Sequence, residues 1–287
     1  MIKDFGINEY EFPEAKSIVV SGDIHGDFNL LINKVCVQYQ MQDTLVIVAG
    51  DCGFGFENKG YYENIVKRNA KRMNEANNWI VFIRGNHDNP AYFDGKVFMH
   101  KRFMAVPDYS ILRACDRTIL CIGGAISIDR NYRMRAWMEY VEKHRGRVDD
   151  DALAKNYYWI NEAPTLNKEI LYRINDVCTI DAVVSHTAPS FCELHNKNGL
   201  CCYAYDDENL INDVTNERLV MDEIYNILKE RNHSITHWCY GHFHQSHHTS
   251  IDDVLFKMLN ITEFYQIRRK KKKEPQITLR LRFSTQG

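Results

Sequence analysis

The sequence predicts an α/β protein built on a parallel sheet, on three observations. Short β-branched runs open the chain, helical patterns separate them, and each run ends in a polar cluster. Ser17-Ile18-Val19-Val20 leads into Ser21-Gly22-Asp23. Thr44 to Ala49 leads into Gly50-Asp51, and Trp79 to Ile83 leads into Arg84-Gly85-Asn86-His87-Asp88. Continuous apolar runs of this length suit strands buried on both faces. Between them, Asn29 to Tyr39 carries Leu30, Leu31, Val35 and Val37, and Tyr61 to Asn77 carries Ile65, Val66, Ala70 and Met73. Alternating strand and helix imply a parallel sheet covered by helices.

The strand pattern resumes at Thr118 to Ile122, Ala182 to Ser185 and His237 to Tyr240. These end at Gly123-Gly124, His186 and Gly241-His242-Phe243-His244. Gln276 to Phe283 alternates apolar and polar residues and reads as a half-buried strand paired with the segment Val254 to Ile267. The segment 134–175 is rich in Trp, Tyr and charge and reads as a mostly helical insertion or flap over the crevice. With 287 residues and neither repeats nor a long linker, a single domain over 1–287 is expected.

Composition excludes several classes. A formal net charge of −2 gives no global attraction to nucleic acid or to an anionic membrane. No apolar stretch approaches the roughly 20 residues of a membrane-spanning helix, and the start of the chain has no secretory pattern. The 9 cysteines are scattered without C-x-x-C spacing, so a reduced, cytoplasmic protein with free thiols is expected.

In a parallel sheet the residues just beyond the carboxyl ends of the strands converge on one crevice. That brings together Asp23, His25, Asp51, Asn86, His87, Asp88, His186, His242 and His244. Mixed oxygen and imidazole donors suit Mn, Fe, Zn, Co or Ni, whereas an all-oxygen set would suit Mg or Ca. The donors are too many for one four-coordinate ion and enough for two ions sharing a carboxylate. Two ions roughly 3.5–4 Å apart can clamp a phosphate and acidify a water.

In order and spacing, Asp23-x-His25 within GDIHGD, Gly50-Asp51, Gly85-Asn86-His87-Asp88, His186 and Gly241-His242-x-His244 resemble the calcineurin-like metallophosphoesterase family. The resemblance spans Gly22 to His244 and implies a four-layer α-β-β-α sandwich of the metallo-dependent phosphatase type. It implies that Asp23, His25, Asp51 and His244 hold one divalent ion. A second ion would sit on Asp51, Asn86, His186 and His242, with Asp51 bridging. His87 would face the phosphate and assist the leaving oxygen, and Asp88 would hydrogen-bond His87. The implied reaction is hydrolysis of a phosphomonoester or phosphodiester by a metal-held hydroxide, with a small phosphoester or nucleotide as substrate.

The departures matter too. Cys52-Gly53-Phe54-Gly55 stands where the protein Ser/Thr phosphatase branch carries a second Asp and a phosphate-binding Arg, which disfavours a phosphoprotein substrate. The segment Gly123 to Arg133 looks like one in bacterial and phage members, and Arg130 and Arg133 are candidate phosphate-binding guanidinium groups.

Set beside these are plainer readings. His100, His144, His195, His233 and His237 are read as core or surface residues, and His247 and His248 as surface residues. Phe54, Phe56, Tyr61 and Tyr62 line either a pocket or the core. Cys52 is read as a buried small residue rather than a redox-sensitive thiol. The basic run Arg268 to Lys273 is read as a solvated turn, because no aromatic side chains interleave it. Its alternative is nucleic-acid binding, which would make the protein a nuclease or end phosphatase. The remaining rival is a non-catalytic module on the same scaffold.

Overall fold

A computed structural model describes residues 6–144, 158–192, 194 and 198–268. The predicted strand Gln276 to Phe283, His195 and the basic run beyond Arg268 lie outside the described residues.

In chain order the first half contains β1 (Glu9–Glu11), β2 (Ser17–Ser21), α1 (Phe28–Asn33), β3 (Thr44–Val48), α2 (Lys59–Glu75) and β4 (Trp79–Phe82). Then come β5 (Met99–His100), β6 (Phe103–Ala105), β7 (Ser110–Ala114), β8 (Arg117–Ile122) and α3 (Arg130–Lys143). The second half contains α4 (Lys168–Val177), β9 (Ala182–Ser185), α5 (Asn198–Ala204), α6 (Leu210–Glu230), β10 (His237–Tyr240), β11 (His247–Ile251), β12 (Val254–Met258) and β13 (Phe264–Ile267). Helix starts follow from the sequence: Asp27 accepts from Leu30 N–H at the head of α1, and Asn58 accepts from Tyr61 N–H at the head of α2.

Among the described residues the strands form two sheets, ordered β1-β7-β8-β9-β10-β12-β11 and β13-β2-β3-β4-β6-β5. The pairs β2–β3, β3–β4, β8–β9 and β9–β10 are parallel, as the alternating pattern predicts.

Residue alternation explains why the strands read as apolar on both faces. Ile18, Val20, Leu45, Ile47 and Val81 of one sheet meet Leu112, Ile119, Cys121, Val184 and Cys239 of the other in a shared central core. The alternate residues Val46, Val48, Ile80 and Phe82 turn outward onto Leu31, Ile32, Ile65 and Met73 of α1 and α2. On the far side Leu120, Val183, Trp238 and Phe256 pack on Leu171 and Ile174 of α4 and Met221, Ile224 and Leu228 of α6. The result is a four-layer α-β-β-α sandwich, each layer pair closed by its own apolar face.

Two details differ from the sequence reading. The stretch Lys168–Val177 is no flap: Leu171 and Ile174 of α4 are fully buried against the second sheet. The segment Val254 to Ile267 is two strands in different sheets, with β12 pairing β10 and β13 pairing β2 antiparallel. The turn between them is pinned by Thr262 N–H donating to the Asp23 carbonyl at 2.8 Å, which ties the sheet crossover to the candidate site.

Candidate active site

The polar clusters meet at the carboxyl ends of β2, β3, β4, β9 and β10, and backbone hydrogen bonds sew one to the next. Ile24 and His25 N–H both donate to the Asp51 carbonyl, at 3.1 and 2.8 Å, and Gly241 N–H donates to the His186 carbonyl at 3.1 Å. Several residues at the cluster sit in the left-handed backbone region: His25 (φ 44°), Asp51 (φ 44°), His242 (φ 67°) and His244 (φ 53°). Such conformations cost about 1–3 kcal/mol each and persist where packing over-determines them. The motif glycines allow the crowding. A Cβ on Gly85 would lie 2.1 Å from Asp51 Oδ1, and one on Gly241 would lie 2.0 Å from Asp23 Oδ1.

Asp23, His25, Asp51 and His244 each present a ligand-type atom, all within 4.8 Å of one another. His244 Nε2 stands 3.0 Å from Asp23 Oδ2 and 2.9 Å from His25 Nε2. Two imidazole nitrogens facing one carboxylate at this range are a donor set that suits a shared cation. Asp23 is held by His242 N–H, which donates to Oδ1 at 3.0 Å.

A second group adjoins the first through Asp51. His186 Nε2 lies 3.3 Å from Asp51 Oδ1 and 2.8 Å from Asn86 Oδ1, and the His242 ring is centred 5.0 Å from that of His186. His186 Nδ1 is 2.8 Å from the Ala49 carbonyl, which fixes the ring and aims Nε2 into the site. Burial pushes the Asp51 carboxyl up, but the imidazoles of His87, His186 and His25 outweigh it and hold Asp51 well below the usual carboxylate range. Burial lowers His186, and Asp51 and Asp23 overcome it to raise His186 to about 9.

His87 reaches in from the turn after β4. Its Nε2 is 3.8 Å from Asp51 Oδ2 and 3.1 Å from Arg133 Nη2. Burial lowers its pKa, Asp51 pulls it back up, and Arg133 lowers it further; the net shift is downward. The ring is therefore neutral at pH 7, with Nε2 accepting from the guanidinium.

Asp88 does not take the partner the sequence reading gave it. Instead of His87, its two oxygens accept four backbone N–H groups, from Cys52 (3.0 Å), Gly53 (2.7 Å), Phe54 (2.9 Å) and Gly85 (2.8 Å). Its shape-setting role is therefore to fold the Gly50–Gly55 turn that carries Asp51. Burial lifts it to about 6, with the Asp51 charge adding to the rise.

The two candidate arginines separate. Arg130 Nε and Nη2 grip Asp207 at 2.6 and 3.0 Å, and Nη2 also meets Asp213 at 2.7 Å. That ion pair joins α3 to the start of α6 and engages the guanidinium away from His87. Arg133 turns into the crevice beside His87, with Nε 2.8 Å from Asp129 Oδ1. Phe54 and Tyr62 are buried core residues, and Tyr62 O–H donates to the Gly53 carbonyl at 2.8 Å. Cys52 is a fully buried thiol donating to the Ile83 carbonyl, and His247 and His248 are exposed.

Sequence reasoning missed a buried chain behind Asn86. Asn86 Nδ2 donates to Ser127 Oγ at 2.8 Å, and Ser127 Oγ and N–H meet Glu162 Oε2 and Oε1 at 2.5 and 2.7 Å. Arg84 Nη1 holds the Glu162 carbonyl at 2.8 Å. This orients the Asn86 amide so that Oδ1 faces His186. No sequence signal marks Glu162, because its partner lies 35 positions away and meets it only after folding.

Burial raises Glu162 to about 8. Between about pH 4.3, where an unfolded Glu titrates, and pH 8 the folded state keeps a proton that the unfolded chain has released. Its contribution to stability is thus full below that window and falls as pH rises through it. Glu162→Gln, an isostere of the protonated form, is expected to flatten this slope in melting curves taken from pH 5 to 8. Equal slopes in the two proteins would show that no proton is held there.

This parallel-sheet crevice holds a carboxylate–imidazole group able to take a metal ion, the arrangement of a metal-dependent phosphoester hydrolase, and the family match makes it one. The family model for calcineurin-like phosphoesterases matches residues 16–246, and the chain belongs to that family. No curated protein matches the sequence. Similar solved structures include a phosphopantetheinyl hydrolase from Mycobacterium tuberculosis, at 12% identity and TM-score 0.41, with 91% of this chain and 98% of that chain covered. Another is a Staphylococcus aureus protein described as a 5'-nucleotidase, solved with alpha-ketoglutarate, at 13% identity and TM-score 0.38; 87% of this chain is covered but half of that chain (50%). Among the described residues no helix is long and apolar enough to cross a membrane.

Proposed function

We propose that the protein hydrolyses a small phosphomonoester or phosphodiester at a centre of two divalent ions drawn from Mn, Fe, Zn and Ni. The observation that carries this reading is the position of Asp51, which belongs to the Asp23–His25–His244 group and also stands 3.3 Å from His186 Nε2. Asp23, His25, Asp51 and His244 hold one ion; Asp51, Asn86, His186 and His242 hold the other. When bound, the pair supplies positive charge for the phosphoryl oxygens and an acidified water.

The remaining steps fall to this chain. Arg133 binds a phosphoryl oxygen through its guanidinium, a geometry suited to oxyanions. An incoming phosphate dianion opposes the field of Arg133 at His87 and raises the pKa of that ring. His87 then holds a proton at Nε2 and gives it to the departing oxygen. Asp88 keeps the turn beneath Asp51 folded and does not touch substrate. All 9 cysteines are free thiols, which supports a reducing, cytoplasmic setting.

The reading is tested by a hydrolysis screen of nucleotides, cyclic nucleotides, simple alkyl and aryl phosphates and phosphopeptides, each with Mn, Ni, Zn or Mg. Metal-dependent turnover of a small phosphoester is expected. Absence of turnover on every substrate with every ion would leave a non-catalytic module.

The two arginines give a sharper check. Arg133→Ala is expected to lower kcat/KM by about 10–100-fold, the worth of a hydrogen bond to a charged group of ~1.5–3 kcal/mol. Arg130→Ala is expected to lower the melting temperature and to have the smaller kinetic effect. Steady-state kinetics and melting of both variants decide, and the reverse ranking would reassign phosphate binding to Arg130.

A further inference from the structure

The crevice opens into a chamber of about 560 Å³, within the roughly 300–1,000 Å³ usual for small-molecule sites. His25, Asp51, Asn86, His87 and His242 line its ligand-bearing side, and Ile128, Leu194, Leu200, Val214 and Phe243 add apolar lining. These five apolar side chains are half-buried rather than buried, so each keeps surface turned to the chamber. They come from five separate places: the loop after β8, the segment before α5, helix α5, helix α6, and the turn between His242 and His244.

The charged groups on that side, Glu217, Arg218 and Asp129, are engaged within the protein, and Tyr203 and Gln245 also line the chamber. Glu217 Oε2 accepts from Ile126 N–H at 2.5 Å, and Oε1 accepts from the Thr187 hydroxyl at 2.6 Å. Arg218 lies over the Phe243 ring at 4.6 Å and donates to the Ala188 carbonyl at 2.8 Å. Asp129 is paired with Arg133. A sugar or other polyhydroxyl group placed against Leu200, Val214 and Phe243 would lose hydrogen bonds to water without replacing them. An apolar group would lose none and would cover apolar surface.

Resting on the phosphoester reading above, we infer that the substrate is a small molecule whose phosphate is carried by an uncharged, apolar organic group seated against Leu200, Val214 and Phe243. The charged head lies at the ligand-bearing side and the body of the substrate at the apolar lining.

The test compares 2-cyclohexylethyl phosphate, glycerol 1-phosphate and a phosphoserine peptide, each with Mn, in the unaltered protein and in Leu200→Asn and Val214→Asn. The first two are primary alkyl esters, and comparing their kcat/KM ratio between proteins cancels intrinsic reactivity. The unaltered protein is expected to prefer the cyclohexyl ester by at least about tenfold, the scale on which an apolar pocket discriminates. That ratio is expected to fall about tenfold in each variant. Two separate variants guard against one that fails to fold, and the preference of the unaltered protein stands as a readout without either. Preference for glycerol phosphate or the phosphopeptide, or a ratio equal in all three proteins, would overturn the apolar-substrate inference alone. No turnover of any of the three monoesters would also overturn the inference, and the wider screen of substrates and ions described above then decides the phosphoesterase reading on which it rests.

Discussion

Asp51→Asn is expected to strip both ions from the protein together. The carboxylate sits 1% exposed between two ligand groups, and the facing imidazoles keep it ionised against the pull of burial. An amide removes that charge and presents an N–H₂ to one side, which no cation accepts. The loss in metal affinity should exceed the roughly 10–100-fold typical of a residue that only hydrogen-bonds a ligand. Oδ1 also accepts His87 N–H at 2.9 Å, so circular dichroism must first show that the variant is folded. Elemental analysis after desalting is the readout. Loss of one ion with retention of the other would show that Asp51 does not bridge.

His87→Ala is expected to behave in the opposite way, keeping its ions and losing turnover by about 10²–10⁴-fold, the usual worth of an acid–base group. The ring is not among the residues within 4.8 Å that form the first ligand group, and its hydrogen-bonding nitrogen is directed at Arg133. Because Arg133 and burial both lower its pKa, the free protein holds His87 neutral, and the proton has to be recruited when phosphate arrives. The pH profile of kcat should therefore show the His87 ionisation at higher pH than the profile of kcat/KM. Near-normal turnover in the variant, or loss of metal with it, would refute this role.

Much of the fold was legible because its strands are buried on both faces. Val46 and Ile47 face different cores, yet both are apolar, so the run is continuous and ends sharply at Gly50-Asp51. The same property made β1, β5, β6 and β7 hard to see: they are short or lie toward sheet edges, and Tyr10 and Arg113 interrupt the pattern. The α4 helix was misplaced because its charged face, with Lys168, Glu169 and Arg173, hides a narrow apolar stripe of Leu171 and Ile174.

At the site, the position of Asp23, Asp51, Asn86 and His186 just beyond strand ends was readable from the apolar runs that precede them. Their supporting groups were not. Ser127, Glu162 and the engagement of Arg130 by Asp207 depend on contacts between segments 35 and 77 positions apart, and only the folded chain reveals them. Asp88 shows the limit from the other side. Its neighbour in sequence is His87, but three N–H groups from the turn below and that of Gly85 converge on it, and the nearer hydrogen-bond donors win.

The most direct test is an anomalous-scattering map from crystals grown with Mn. Two peaks roughly 3.5–4 Å apart are expected, one against Asp23, His25 and His244, the other against Asn86, His186 and His242, with Asp51 touching both. A single peak, or two peaks of which one lies out of reach of Asp51, would contradict the dinuclear account.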